Sequence, residues 1–158
     1  MKRSMILAVG IAALDQAVKA YVRTFEYGEV FFEIPGVLAL KHSVNTGAAF
    51  SAFSGKTPML AILSLILLAA MYGFACGKMR LVPVARIALG CMFGGGIGNL
   101  MDRVLFSGVT DYICLLFVEF PIFNLADVAI TCAIGVLLIL VFMDRLEEPA
   151  EEEHESSR

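Results

Sequence analysis

Residues 58–76 read PMLAILSLILLAAMYGFAC, without a charged side chain. Roughly 20 helical residues are needed to cross about 30 Å of hydrocarbon. Lipid offers no partner to an unpaired backbone group, so such a run must be a helix. Three further runs approach the same length: Met5–Val22, Val84–Met101 and Ala126–Met143. Their spacing predicts an all-α membrane protein with four transmembrane helices. Of the 158 residues, 59% are hydrophobic, above the 45–50% or so of soluble domains. The length allows one domain.

The ends of the runs set which way they face. Lys2, Arg3, Lys78, Arg80, Arg86 and Arg145 fall on one side, and Arg23, Lys41, Lys56 and Arg103 on the other. The Gly77–Pro83 loop is dense in positive charge, which places it and both termini in the cytoplasm. Met1-Lys2-Arg3 and the run after it imitate a signal peptide, but Asp15 and Lys19 interrupt the run and no small-x-small site closes it. A retained first helix is expected. Two segments then face outward, Arg23–Thr57 and about Asp102–Leu125. In the first, Glu29–Ile34 and Val37–Ser43 flank Pro35-Gly36, a pair suited to a type II turn, and predict a β-hairpin on the membrane surface. Asn45–Ser51 suits a short interfacial helix or a re-entrant turn. Residues 146–158 are acidic, lack apolar periodicity and read as a disordered cytoplasmic tail.

Polar side chains inside lipid need a reason. Asp15 and Lys19 share a helix face in the outer half of the first span. Asn99, Asp102 and Arg103 end the third, Asp111 follows, and Asn124 and Asp127 open the fourth. Topology brings them to one level, with Asn45. Each also has a plain structural reading. Asp15 and Lys19 suit a self-neutralising i, i+4 pair, Asp102 and Arg103 a surface pair, Asn124 an N-cap and Asp127 a first-turn acid. Spacing alone leaves catalysis by Asp111 and Asp127 as the alternative. Gly90 and Gly94-Gly95-Gly96-x-Gly98 permit close helix approach and could also widen a groove for a substrate helix. No strand precedes them, which excludes a dinucleotide loop. Cys76, Cys91, Cys114 and Cys132 lack metal-ligand spacing, and His42 and His154 form no His-Glu-x-x-His run, so a zinc protease is not expected.

Four blocks carry a family resemblance: Asp15-Gln16-x-x-Lys19; Asn45-Thr46-Gly47-Ala48-Ala49-Phe50-Ser51; Gly94-Gly95-x-x-Gly98-Asn99-x-x-Asp102-Arg103, followed by Gly108-Val109-x-Asp111-Tyr112; and Phe123-Asn124-x-Ala126-Asp127. With these in order, the chain resembles the lipoprotein signal peptidases, or signal peptidase II. The resemblance implies an aspartyl peptidase domain over 1–145, in the bacterial cytoplasmic membrane with its site at the outer face. Its substrate would be a prolipoprotein carrying diacylglycerol on the lipobox cysteine, cut just before that cysteine. It implies sensitivity to globomycin-type inhibitors and contact with membrane lipids. The catalytic pair maps onto Asp111 and Asp127, and the substrate-binding or supporting set onto Asn45, Gly47, Asn99, Arg103, Asn124 and Ala126. Asp15, Lys19 and Asp102 form a structural polar set, and the outer hairpin matches the family's periplasmic cradle. No metal, other cofactor or nucleic acid is expected, and a monomer is, because the active parts all come from one chain.

Two carboxylates sharing a proton supply both the base for a water and the acid for a leaving group. Two rivals remain. Lys41 and Ser43 share a strand face and suggest a Ser–Lys dyad, whereas the Gly-x-Gly-Asp run of presenilin-like proteases is absent. A small four-span ion- or proton-coupled transporter subunit would also bury Asp, Asn and Lys, but it wants them near the midplane.

Overall fold

The computed structural model describes residues 2–47, 53, 55–77 and 80–147. Four helices are long and apolar enough to cross a membrane: α1 (Lys2–Val22), α2 (Thr57–Ala75), α3 (Pro83–Phe106) and α4 (Leu125–Phe142). Three short strands, β1 (Val30–Ile34), β2 (Leu38–Asn45) and β3 (Val109–Leu115), form an antiparallel sheet in the order β1-β2-β3 at one end of the bundle.

Helix α3 is the centre of the bundle, packed against α1, α2 and α4. Its glycines explain how. A Cβ on Gly94 would stand 2.7 Å from the Ala8 carbonyl of α1, and one on Gly95 would stand 2.5 Å from the Ala126 carbonyl of α4. Only a hydrogen at these positions lets the backbones meet, as small residues do between membrane helices. These glycines thus serve helix packing, and none of them lines the candidate cavity described below. The outward faces are apolar. Ile62, Leu65, Ile66 and Leu67 of α2 and Leu138, Ile139 and Val141 of α4 are exposed. That surface suits hydrocarbon, and in water it would be an interaction patch.

The third helix runs beyond the anticipated Met101 to Phe106, where Ser107 caps it at φ 56°. Asp102 did not end the helix because its charge is neutralised inside the fold, as described below. The hairpin is present. Val37 N–H donates to the Ile34 carbonyl at 3.0 Å and Gly36 has φ 72°, as a type II turn requires. Two features were not anticipated. β2 extends to Asn45, and β3 pairs with it in the register Leu38↔Leu115, Ser43↔Asp111 and Asn45↔Val109. Val109–Leu115 is rich in β-branched and aromatic residues, a strand signal hidden between two spans.

Residues 146 and 147 are not loose, because Glu147 bridges to Leu81 and the Val82 N–H donates to the Leu146 carbonyl at 3.1 Å. The rest of the expected acidic tail, and Ala48–Ser51 of the expected interfacial helix or turn, lie outside the described residues.

Candidate active site

The polar residues anticipated at one level do converge, between α1, α3, α4 and β3. Lys19 lies at the hub, fully buried. Its ammonium contacts Asp15 Oδ2 at 2.8 Å and Asp102 Oδ2 at 3.5 Å, and donates to Asn99 Oδ1 at 2.8 Å. Asp15 Oδ1 also accepts the Ala126 N–H of α4 at 3.2 Å. Burying a charge is tolerable only with pairing of this kind. Asp102 forms no surface pair with Arg103: its cations are Lys19 and, at 2.6 Å, Arg23. It lies inside the fold, because the helical turn aims it at α1 while Arg103 lines the cavity.

From this hub a hydrogen-bond relay leads to both candidate acids. Lys19 can only donate, so the Asn99 oxygen must face it and the Asn99 amide nitrogen must face away. That nitrogen donates to Asp127 Oδ1 at 2.7 Å. Asn99 Oδ1 also accepts from Asn124 Nδ2 at 3.1 Å, and the same Asn124 nitrogen lies 2.6 Å from Asp111 Oδ1. Asn124 is the N-cap of α4, forming a reciprocal capping box with Asp127. The Asp127 N–H donates to Asn124 Oδ1 at 3.0 Å, and the Asn124 N–H donates to Asp127 Oδ2 at 3.2 Å. The structural reading of Asn124 and Asp127 as helix caps thus holds together with their place in the site.

Asp111 is 2% exposed. Burial, and next the charge of Asp127, push its carboxyl up to about 7, against the lowering effect of hydrogen bonds from Asn124 and Asn45 and of the Lys19 charge. Asn45 is held for this contact by the Gly47 N–H, which donates to its Oδ1 at 2.9 Å. Burial also pushes Tyr112 up to about 12, so its neutral phenol accepts the Leu125 N–H at 3.2 Å.

Asp111 and Asp127 line one cavity of about 520 Å³ together with Asn45, Asn99 and Arg103. The Arg103 guanidinium feels the charges of both acids. The same cavity is also lined by the apolar Leu115, Phe120, Ile122, Phe123, Val128 and Ile130. Ala126 is fully buried where α4 meets Gly95 of α3. Among the described residues Lys41 and Ser43 share no hydrogen bond, and β2 changes register between Leu40 and Ser43, so a Ser–Lys dyad gains nothing.

The sequence profile described as Signal peptidase (SPase) II matches residues 7–143. The chain belongs to the signal peptidase II family. Among that family's curated members, the lipoprotein signal peptidase of Microcystis aeruginosa is 40% identical over 146 residues, covering 91% of this chain and 94% of its own. That of Staphylococcus aureus is 35% identical over 141 residues, covering 87% of this chain and 85% of its own. A bacterial membrane enzyme solved at 2.3 Å by the in meso method superposes with a TM-score of 0.85 at 28% identity, covering 100% of this chain and 96% of its own. Signal peptidase II membership makes this chain a protease and a bacterial multi-pass membrane protein, and transport has no support.

Sequence reasoning missed Gln16, Arg23 and Thr110. Gln16 Nε2 donates to the Gly98 carbonyl and to Asp102 Oδ1, both at 3.0 Å. The charge on Asp102 and its need for a partner were the available signal for Arg23. Nothing in the sequence paired the two.

Proposed function

We propose that this chain removes the signal peptide from diacylglyceryl-modified prolipoproteins, cutting just before the lipidated cysteine, and that it does so as an aspartic endopeptidase with Asp111 and Asp127 as its dyad. The observation that carries the reading is the shared cavity: two acids reach it from separate elements, linked through Asn124 and Asn99. One ionised carboxylate takes a proton from the attacking water while the protonated one gives its proton to the carbonyl oxygen. The resulting diol collapses as the first carboxyl passes the water's proton to the leaving nitrogen and the second recovers a proton from the diol hydroxyl. Like charges held close cannot both ionise, so the pair keeps one proton near neutrality, and its titration belongs to the pair. Arg103 stands where it can offset the remaining negative charge.

The mixed wall suits a substrate whose scissile bond is polar and whose flanks are apolar. In our reading the sheet end of the bundle is the outer face, with both termini cytoplasmic. There the substrate's acyl chains lie in the outer leaflet, its signal helix crosses the bilayer, and water reaches the acids. The hairpin would then cover the site from outside as a cradle. The peptidase domain would be 1–145, acting as a monomer, and a globomycin-type peptide would compete for the same cavity. The test is Asp111→Asn and Asp127→Asn, each assayed for cleavage of a lipid-modified prolipoprotein in detergent. Folded, inactive protein is expected for both. Retained cleavage by either variant overturns the dyad.

A further inference from the structure

We propose that Arg23 and Thr110 act as a clamp that positions Asp111, tying the strand that carries it to the buried Asp102 of α3. The inference rests on Asp111 being catalytic. β3 is an edge strand of the small sheet, and beyond β2 its backbone pairs with Phe123, at Tyr112 and Ile113. The segment just before Asp111 is held by other means. Thr110 N–H donates to Asp102 Oδ2 at 2.8 Å. Arg23 Nε donates to Thr110 Oγ1 at 2.9 Å, while its Nη2 donates to Asp102 Oδ1 at 2.6 Å. The guanidinium also lies 4.0 Å from the Phe106 ring centroid.

Arginine's planar fork fixes the angle between its two bonds, which a lysine cannot reproduce. One side chain just past α1 thus locks α1, α3 and β3 together one residue from Asp111. Thr110 is 3% exposed. Neither it, nor Arg23, nor Asp102 is among the residues lining the acid cavity. They are positioning residues, and their loss should act on the chemical step more than on substrate binding.

The test is steady-state cleavage of a lipid-modified prolipoprotein by full-length protein, normalised to monodisperse enzyme. The variants are Arg23→Lys, Thr110→Val, their combination, and Thr110→Ser. A misplacement of about 1 Å costs on the order of a hundredfold, so kcat should fall roughly 10–100-fold in the first two while KM stays within about twofold. The combination should be no worse than either single change, because both open the same clamp. Thr110→Ser keeps the hydroxyl and should keep the wild-type kcat. The alkaline limb of the pH profile should move to lower pH, because an Asp111 drawn from its buried place beside Asp127 loses its proton more readily. The charged groups facing Asp111 are Asp127 from α4, Arg103 from α3 and Lys19 from α1. β2 contributes the uncharged Asn45. None of these is altered.

A merely structural clamp would lower the amount of folded enzyme and leave the limb in place, and that result overturns the proposal. Wild-type kcat in Thr110→Val and Arg23→Lys overturns it too, as does lost activity in Thr110→Ser, which would point to methyl packing. If Asp111→Asn remains active, the dyad itself fails; if Asp111→Asn is inactive and the clamp variants behave as wild type, only the clamp fails.

Discussion

Replacing Lys19 with Met keeps most of the side-chain volume and removes the ammonium from the hub. The structure decides which partner suffers. Asp102 retains Arg23 at 2.6 Å, the Thr110 N–H at 2.8 Å and Gln16. Asp15 loses its one cation among the described residues and keeps only the Ala126 N–H at 3.2 Å and a long contact from Gln16 at 3.4 Å. The variant therefore leaves a single fully buried carboxylate without a counter-charge. Breaking a buried pair from one side costs about 3–5 kcal/mol, set against a total stability on the order of 5–15 kcal/mol. For a chain of this size that corresponds to a melting temperature roughly 6–20 °C lower. The assay is thermal unfolding of purified protein in detergent micelles. Adding Asp15→Asn removes the orphaned charge while keeping an oxygen for the Ala126 N–H, so the double variant should recover most of the loss. A Lys19→Met protein melting within about 3 °C of wild type, or a double variant no more stable than the single, would refute the reasoning.

Other perturbations read out the site and its frame. Burial and the charge of Asp127 push the Asp111 carboxyl up to about 7, so the shared proton is present below that value and lost above it, and cleavage should decline as pH rises through about 7 in a pH–rate profile of kcat/KM. Asn124→Ala removes an N-cap worth about 1 kcal/mol and also the link between the acids, so cleavage well below the melting temperature should fall far more than stability does. Gly98→Ala would drive a methyl group into the Asp15 carboxylate; overpacking of this kind costs about 1–3 kcal/mol, visible as a lower melting temperature in detergent.

The spans were legible because hydrocarbon imposes one strong rule, and 58–76 satisfies it almost without exception. The level of the site was legible too, since Asp15, Asn99, Asp111 and Asp127 could be placed by depth alone. What the sequence did not disclose were pairings between distant residues. The adjacency of Asp102 and Arg103 suggested a surface pair, whereas helical geometry sends Asp102 inward to Lys19 and Arg23 and Arg103 to the cavity. β3 stayed hidden because a strand needs a partner to be recognised, and its partner β2 lies more than sixty positions earlier. Asn124 shows how one residue answers two readings: its backbone place makes it a cap, and its free amide hydrogens reach Asn99 and Asp111.

The central claim is that Asp111 and Asp127 act as one coupled pair, and a site-specific carboxyl titration by carbon-13 NMR tests it most directly. In wild-type enzyme the Asp111 carboxyl should titrate near the value of about 7. In Asp127→Asn it should move downward yet stay above the ordinary carboxylate range, because the like charge is gone and burial, the larger cause, remains. An Asp111 that titrates like an exposed carboxylate, or one whose midpoint ignores the loss of Asp127, would contradict the account.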